Sequence, residues 1–146
     1  MSEDEEELRR LIAELRILEG TAESLRSRIN FVNVALNELT LANMTLEGVE
    51  KEETAAPLFV PIGGGSYIKA KLESVDKIVY GIGAGVAMEK TIKEAREGVS
   101  NRISELNRTK MSLEQQLAQV LGKMEEDQSR FRELTSKLER EASRGI

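Results

Sequence analysis

From Leu8 onward the chain places an apolar residue at alternating steps of three and four. The series is Leu8, Leu11, Leu15, Leu18, Ala22, Leu25, Ile29, Val32, Leu36, Leu39, Asn43 and Leu46, with Asn43 its one polar member. A seven-residue repeat puts these side chains on one helical stripe, as the knobs of a coiled coil. A helix from about Glu5 to about Glu50 would be roughly 70 Å long at 1.5 Å per residue. The end of the chain repeats the pattern through Ile103, Leu106, Lys110, Leu113, Leu117, Val120, Met124, Asp127, Phe131, Leu134 and Leu138. Ile92, Ala95 and Val99 lie upstream, with a four-residue slip that locally unwinds a supercoil. This second helix, from about Thr91 to Ala142, would reach about 80 Å. Neither helix can bury its own stripe. Two of similar length in one chain can fold back on each other as an antiparallel coiled coil, with both chain ends at the far tip. Pairing of each helix with another chain is the alternative.

Between the helices the composition changes. Both prolines, Pro57 and Pro61, and six of the eleven glycines fall between Pro57 and Gly85. The only charges from Pro57 to Met88 are Lys69, Lys71, Glu73, Asp76 and Lys77. This segment reads as two β-hairpins. Leu58 to Ile62 is a strand, Gly63-Gly64-Gly65 a turn, and Ser66 to Leu72 the return. Lys77 to Ile82 and Val86 to about Glu89 are the second pair, around Gly83-Ala84-Gly85. Pro61 removes a ladder donor, which predicts an edge or bulged strand. The fold class is α+β: an N-terminal coiled-coil helix (1–53), a double β-hairpin region (54–90) and a C-terminal coiled-coil helix (91–146).

Four short strands cannot make an independent core, and segments this small need disulfides, a metal or oligomerisation. The chain has no Cys and no His. That removes disulfides, thiolate nucleophiles and the usual zinc sites. No cofactor or metal is expected. Oligomerisation is left, so the strands should complete a sheet or barrel with other subunits. Their apolar residues, Leu58, Phe59, Val60, Ile62, Ile68, Leu72, Ile78, Val79, Ile82 and Val86, are the expected assembly surface.

The 146 residues carry 21 basic and 26 acidic side chains, a net charge of −5, which argues against nucleic acid as a partner. No run is apolar enough to span a bilayer. The acidic start, Ser2 to Glu7, is unlike a signal peptide. A soluble, cytoplasmic protein is expected.

The glycine clusters are the one enzyme-like feature. Gly81-Ile82-Gly83-Ala84-Gly85 has its third glycine one residue too early for a dinucleotide fingerprint, and Gly63-Gly64-Gly65-Ser66 lacks the Lys of a P-loop. Hairpin turns with positive φ account for both. Asp127 makes the second seam polar near the tip, predicting a loose coil there; Lys110 weakens the middle of the seam or pairs with a carboxylate opposite. Ile12 and Ile17 are apolar off the first seam, and with Phe131 they outline an apolar groove at the tip. Phe31, Val34, Leu41 and Met44 are also off the seam; they are expected to pack against the β region or a neighbouring subunit, with a core role as the default.

The middle segment resembles the alpha-type subunit of prefoldin. Pro57-Leu58-Phe59-Val60-Pro61-Ile62-Gly63-Gly64-Gly65-Ser66-Tyr67-Ile68-Lys69-Ala70-Lys71-Leu72 is similar to that family's first hairpin. Val79 to Lys90 is similar to its second, with the entry to the last helix. Two hairpins rather than one favour the alpha over the beta type. The resemblance implies a hexamer of two alpha-type and four beta-type subunits, whose hairpins join in a double β-barrel carrying six coiled coils. It implies capture of non-native polypeptides at the tips without ATP, and their transfer to a group II chaperonin. By position the tip surface maps onto Leu8 to Leu18 and Met124 to Leu138. The candidate contacts there are Leu8, Leu11, Ile12, Leu15, Ile17, Met124, Phe131, Leu134 and Leu138. A structural spacer or tether, built from the same coils and strands, is the rival reading. It needs no exposed apolar tip.

Overall fold

The computed structural model describes residues 2–145. Its elements run α1 (Glu3–Glu50), β1 (Pro57–Gly63), β2 (Ser66–Lys71), β3 (Lys77–Gly83), β4 (Val86–Thr91) and α2 (Ile92–Arg144). The start of α1 is capped by Ser2, whose Oγ accepts from the Glu5 N–H at 3.2 Å. Four acidic residues in its first turn suit the positive end of the helix dipole. Thr91 caps α2: its Oγ accepts from the Glu94 N–H and donates to the Glu94 carboxylate, both at 3.1 Å. The first bond is that of an N-cap; in the second the Glu94 carboxylate accepts from the Thr91 hydroxyl rather than from its backbone N–H.

The chain forms two compact units. The terminal unit takes the chain up to Asn33 and from Arg108 onward; the central unit is Val34–Asn107. In the terminal unit α1 and α2 lie antiparallel. Asp4 meets Lys137 at 2.8 Å, Glu7 meets Arg130 at 2.8 Å, and Glu14 meets Lys123 at 3.8 Å. In the central unit Asn43 Nδ2 donates to Ser100 Oγ at 3.2 Å, and Glu50 pairs with Arg96, again antiparallel. Every residue of both heptad series is buried or half-buried. The three-four spacing therefore does what it predicts: it gathers one stripe per helix into a shared seam.

The strands form two separate antiparallel hairpins, β1–β2 and β3–β4. Their registers are the same with every number raised by twenty. Pro57 faces Lys71 and Gly63 faces Ser66; Lys77 faces Thr91 and Gly83 faces Val86. Each has a bulge just before its turn, between Pro61 and Gly63 or between Gly81 and Gly83. The two-residue turns, Gly64-Gly65 and Ala84-Gly85, have φ of 56°, 75°, 51° and 73°. Paired positive φ angles give the strands the twist of a tight hairpin. Ala84 holds this conformation without being glycine.

The core of the central unit is small. Tyr80, Ala95 and Val99 are buried together, with Leu39, Leu46, Ile78 and Ile103 against them. The polar and off-seam positions resolve as follows. Lys110 pairs with Glu114 on its own helix at 3.9 Å, not with a carboxylate opposite, because the i,i+4 partner is within easy reach. Phe31, Val34, Leu41 and Met44 are all exposed, Phe31 at 78%, and Leu41 lines a groove with Ile78, Val79, Tyr80 and Gly81 of β3.

Candidate functional site

Two surfaces carry the sequence-predicted residues. The first is in the terminal unit. Leu11 and Leu134 lie inside the seam, Leu134 at only 1% exposure. Leu8, Leu15, Met124, Phe131 and Leu138 are half-buried along it. Ile12 and Ile17 stand outside, 40% and 69% exposed. The structure thus brings the seam leucines together and leaves the two isoleucines facing water. Ile17 also borders a groove of about 560 Å³ with Gly20, Thr21, Ser24 and Leu25 of α1 and Gln116, Gln119 and Val120 of α2. Sequence reasoning missed this groove. Its signal was the small residues Gly20, Thr21 and Ser24, which leave the helix surface low on that side.

Charges stitch this unit. Arg130 binds Glu7 through two nitrogens, at 2.8 and 3.0 Å. The hydrogen bond from Arg130 holds the Glu7 carboxyl below its ordinary pKa. Lys137 is raised by its bond to Asp4. Asp127 is the exception: it is 3% exposed and lies in the seam. Lys123, four residues back on the same helix, approaches one oxygen at 3.4 Å, and its pKa is raised by that contact. The other oxygen, Oδ2, is buried without a partner. A buried, half-satisfied carboxylate costs stability, so the seam is weakened at this level.

The second surface is the pair of hairpins in the central unit. Phe59, Val60, Ile62, Ile68, Val79, Ile82 and Val86 are exposed, while Leu58, Leu72 and Ile78 are half-buried. Tyr67 and Met88, not singled out from the sequence, belong with the exposed set. Phe59 and Tyr67 meet edge to face, with ring centroids 6.3 Å apart. Register places Leu58, Val60, Ile68 and Ala70 on one face of β1–β2, and Ile78, Tyr80, Met88 and Lys90 on the matching face of β3–β4. Only the second face is docked. Lys90 Nζ and the Arg102 guanidinium each lie 5.0 Å from the Tyr80 ring centroid, and Arg102 also donates to the Gly81 carbonyl at 3.0 Å. Gly98 makes room: a Cβ there would stand 2.8 Å from the Tyr80 hydroxyl.

Among the described residues no cluster of acidic side chains could hold a metal ion. No helix among them is long and apolar enough to cross a membrane. The glycine turns are the tight ends of hairpins, and a strand rather than a helix follows each of them. A phosphate cradle at a helix N-terminus does not form at either.

Residues 18–137 match the family model described as Prefoldin subunit. A prefoldin subunit alpha from Methanococcoides burtonii is 36% identical over 121 residues, covering 82% of this chain and 88% of the relative. One from Methanopyrus kandleri is 34% identical over 115 residues, covering 79% and 73%. Among solved structures, filamentous PFD from Methanocaldococcus jannaschii, determined by cryo-electron microscopy, is similar with a TM-score of 0.69. It is 24% identical, and the match covers 78% of this chain and 94% of that one.

Proposed function

The chain belongs to the prefoldin family as an alpha-type chaperone subunit, and from that premise we propose that it captures unfolded polypeptides through its terminal unit. Capture needs no ATP. The bound chain passes to a group II chaperonin, in the cytoplasm, and the reading assigns no catalytic step to the protein. Two alpha-type subunits assemble with four beta-type subunits. Residues 54–90 are the assembly region and residues 1–53 and 91–146 the helices that reach for clients.

The observation that carries the capture reading is the exposure of Ile12 and Ile17 beside charged, cross-paired helices. Covering one such side chain is worth ~1.5–3 kcal/mol. That is too weak to hold a client alone, and it becomes useful when several subunits each supply one. Weak contacts of this kind also accept many sequences. Leu8, Leu15, Met124, Phe131 and Leu138 add edges of the seam. Leu11 and Leu134 contribute only when the helices part, which the half-satisfied Asp127 favours. The assembly reading rests on the hairpins: isolated two-stranded sheets are marginal in water, and these expose apolar side chains.

The test is suppression of light scattering from a chemically unfolded protein, without nucleotide, by the assembled complex. Replacing Ile12 and Ile17 together by Ser should lower suppression severalfold while the complex stays assembled. If the intact complex suppresses nothing, the spacer reading replaces this one. If it suppresses as well with both serines, capture lies elsewhere on the chain.

A further inference from the structure

The groove of about 560 Å³ beside Ile17 belongs to the terminal unit, outside residues 54–90. Its α1 side carries a second neutral series. Ile17, Gly20, Ser24, Ser27 and Phe31 step by three and four, as the seam does, on positions that the seam leaves out. All five are exposed, Ile17 at 69% and Phe31 at 78%. A three-four series is the footprint of one helix packed on another, and α2 takes only the first of the two. The α2 side is neutral as well. From Gln115 to Gly122 that helix carries no charge, and Gln116, Gln119 and Val120 of this run line the groove. Gly20 has no reason in the chain's own packing. It stands inside α1 without a positive φ, and a Cβ there would meet nothing within 4 Å. Alanine would favour the helix at this position. Glycine keeps the surface low instead, so that an outside helix can come close.

The walls decide the form of the occupant. Main-chain groups along α1 and α2 are bonded within their own helices, so they offer an extended chain no ladder of donors and acceptors. Two of the polar side chains are engaged already. The Thr21 hydroxyl donates to the Ile17 carbonyl at 3.0 Å, and Gln116 Nε2 donates to Ser112 Oγ at 3.3 Å. An extended chain buried here would leave its own N–H and C=O groups unmatched. A helix satisfies its own and brings an apolar ridge to Ile17, Leu25 and Val120. From Ile17 to Arg28 the groove spans about 16 Å at 1.5 Å per residue, about three helical turns. Arg28 is the one charged residue lining it. A cation at that end matches a carboxylate and the negative end of a helix dipole.

We propose that this groove takes an amphipathic helix of a non-native polypeptide, about three turns long, uncharged on its docking face and with its C-terminal end at Arg28. This rests on the capture reading above and names the substrate class: segments that have formed helix but have not buried its apolar face. Phe31, one step further along the same series, extends the contact for longer helices. Strand-forming segments of equal hydrophobicity are poor ligands for this groove, because they cannot satisfy their main chain in it.

The experiment titrates the assembled complex into a fluorescent peptide of about twelve residues, an amphipathic helix of Leu, Ala and Gln with one Glu near its C-terminus. A lactam bridge on its far face keeps so short a helix folded. The control peptide has the same residues, unbridged and reordered to alternate apolar and polar, the pattern of a strand. Anisotropy should show the helical peptide binding at least about tenfold more tightly than the control. Gly20→Phe, which fills the groove from a position with open space around it, should weaken that binding about tenfold in a complex of unchanged mass. Gly20→Ala should raise the thermal midpoint and still weaken binding severalfold, opposite signs that misfolding cannot produce. Arg28→Glu should weaken the peptide severalfold, and a peptide with Lys in place of its Glu should recover the loss. Equal binding of the two peptides, or no binding of the helical one by a complex that suppresses scattering, would overturn the helix assignment and leave capture standing. Undiminished binding by both Gly20 variants would overturn the site. A complex that suppresses no scattering would overturn the capture reading and this proposal with it.

Discussion

The two hairpins have one backbone and two fates. They share register, bulge and turn, residue for residue, at an offset of twenty. One lies docked on the helices of the central unit; the other keeps the matching face largely in water. The difference is concentrated at one pair of equivalent positions, Val60 and Tyr80. Tyr80 fills the space over Ala95, Val99 and Gly98, and Lys90 and Arg102 lie near its ring. Val60 has no such setting. Hairpin geometry is thus a local matter, fixed by turn chemistry and strand length. Docking is a non-local matter that depends on a single large side chain and the glycine that admits it.

The strongest way to break this contrast is Tyr80→Ala. It should cost about 3–5 kcal/mol of central-unit stability, the usual range for removing a buried aromatic. Amide exchange across β3–β4 should then rise to the level of β1–β2, whereas Val60→Ala should change the isolated chain little. Gly98→Ala attacks the same contact from the other side. Its Cβ would meet the Tyr80 hydroxyl at 2.8 Å and the ring carbon beside it at 3.2 Å. The expected loss is about 1–3 kcal/mol by overpacking, read from denaturant unfolding. Arg102→Gln removes the cap on Gly81 and one cation near the ring, worth about 1 kcal/mol at this exposed site. A calorimetric melt of the variant would register it, with β3 amides loosened more than those of β4. The smallest effect is in the turns. Ala84 adopts a φ of 51° where the first hairpin has Gly64 at 56°. Ala84→Gly should therefore stabilise the second hairpin by up to about 1 kcal/mol, making the turns alike. Destabilisation instead would mean that the two turns differ in more than residue type.

Much of this was legible in the chain itself. The heptads predicted both helices to within a few residues, and every seam position is at least half-buried, because side-chain period alone decides which stripe a helix hides. The glycines predicted the turns, since few other residues tolerate paired positive φ. Pro61 predicted an edge or bulged strand, and a bulge follows it at once. The candidate contacts in the terminal unit were legible only in part. Periodicity marked Ile12 and Ile17 as lying off the seam, and they are exposed. It also grouped them with Leu11 and Leu134, which the partner helix covers. The same rule singled out Phe31, Val34, Leu41 and Met44 without revealing what, if anything, would lie against them.

By itself, then, the sequence determined the elements, their order, the seams and the two turns. Each of these is governed by residues near one another along the chain, through helical period, capping and backbone φ. Only the tertiary structure decided which hairpin docks, that Arg102 reaches the Gly81 carbonyl, that Lys110 turns to Glu114 and that one oxygen of Asp127 is left without a partner. Those outcomes depend on contacts between distant residues, or on competition among equally reachable partners. Spacing along a chain carries no record of either, because it measures distance in residues, while packing and electrostatics act through space.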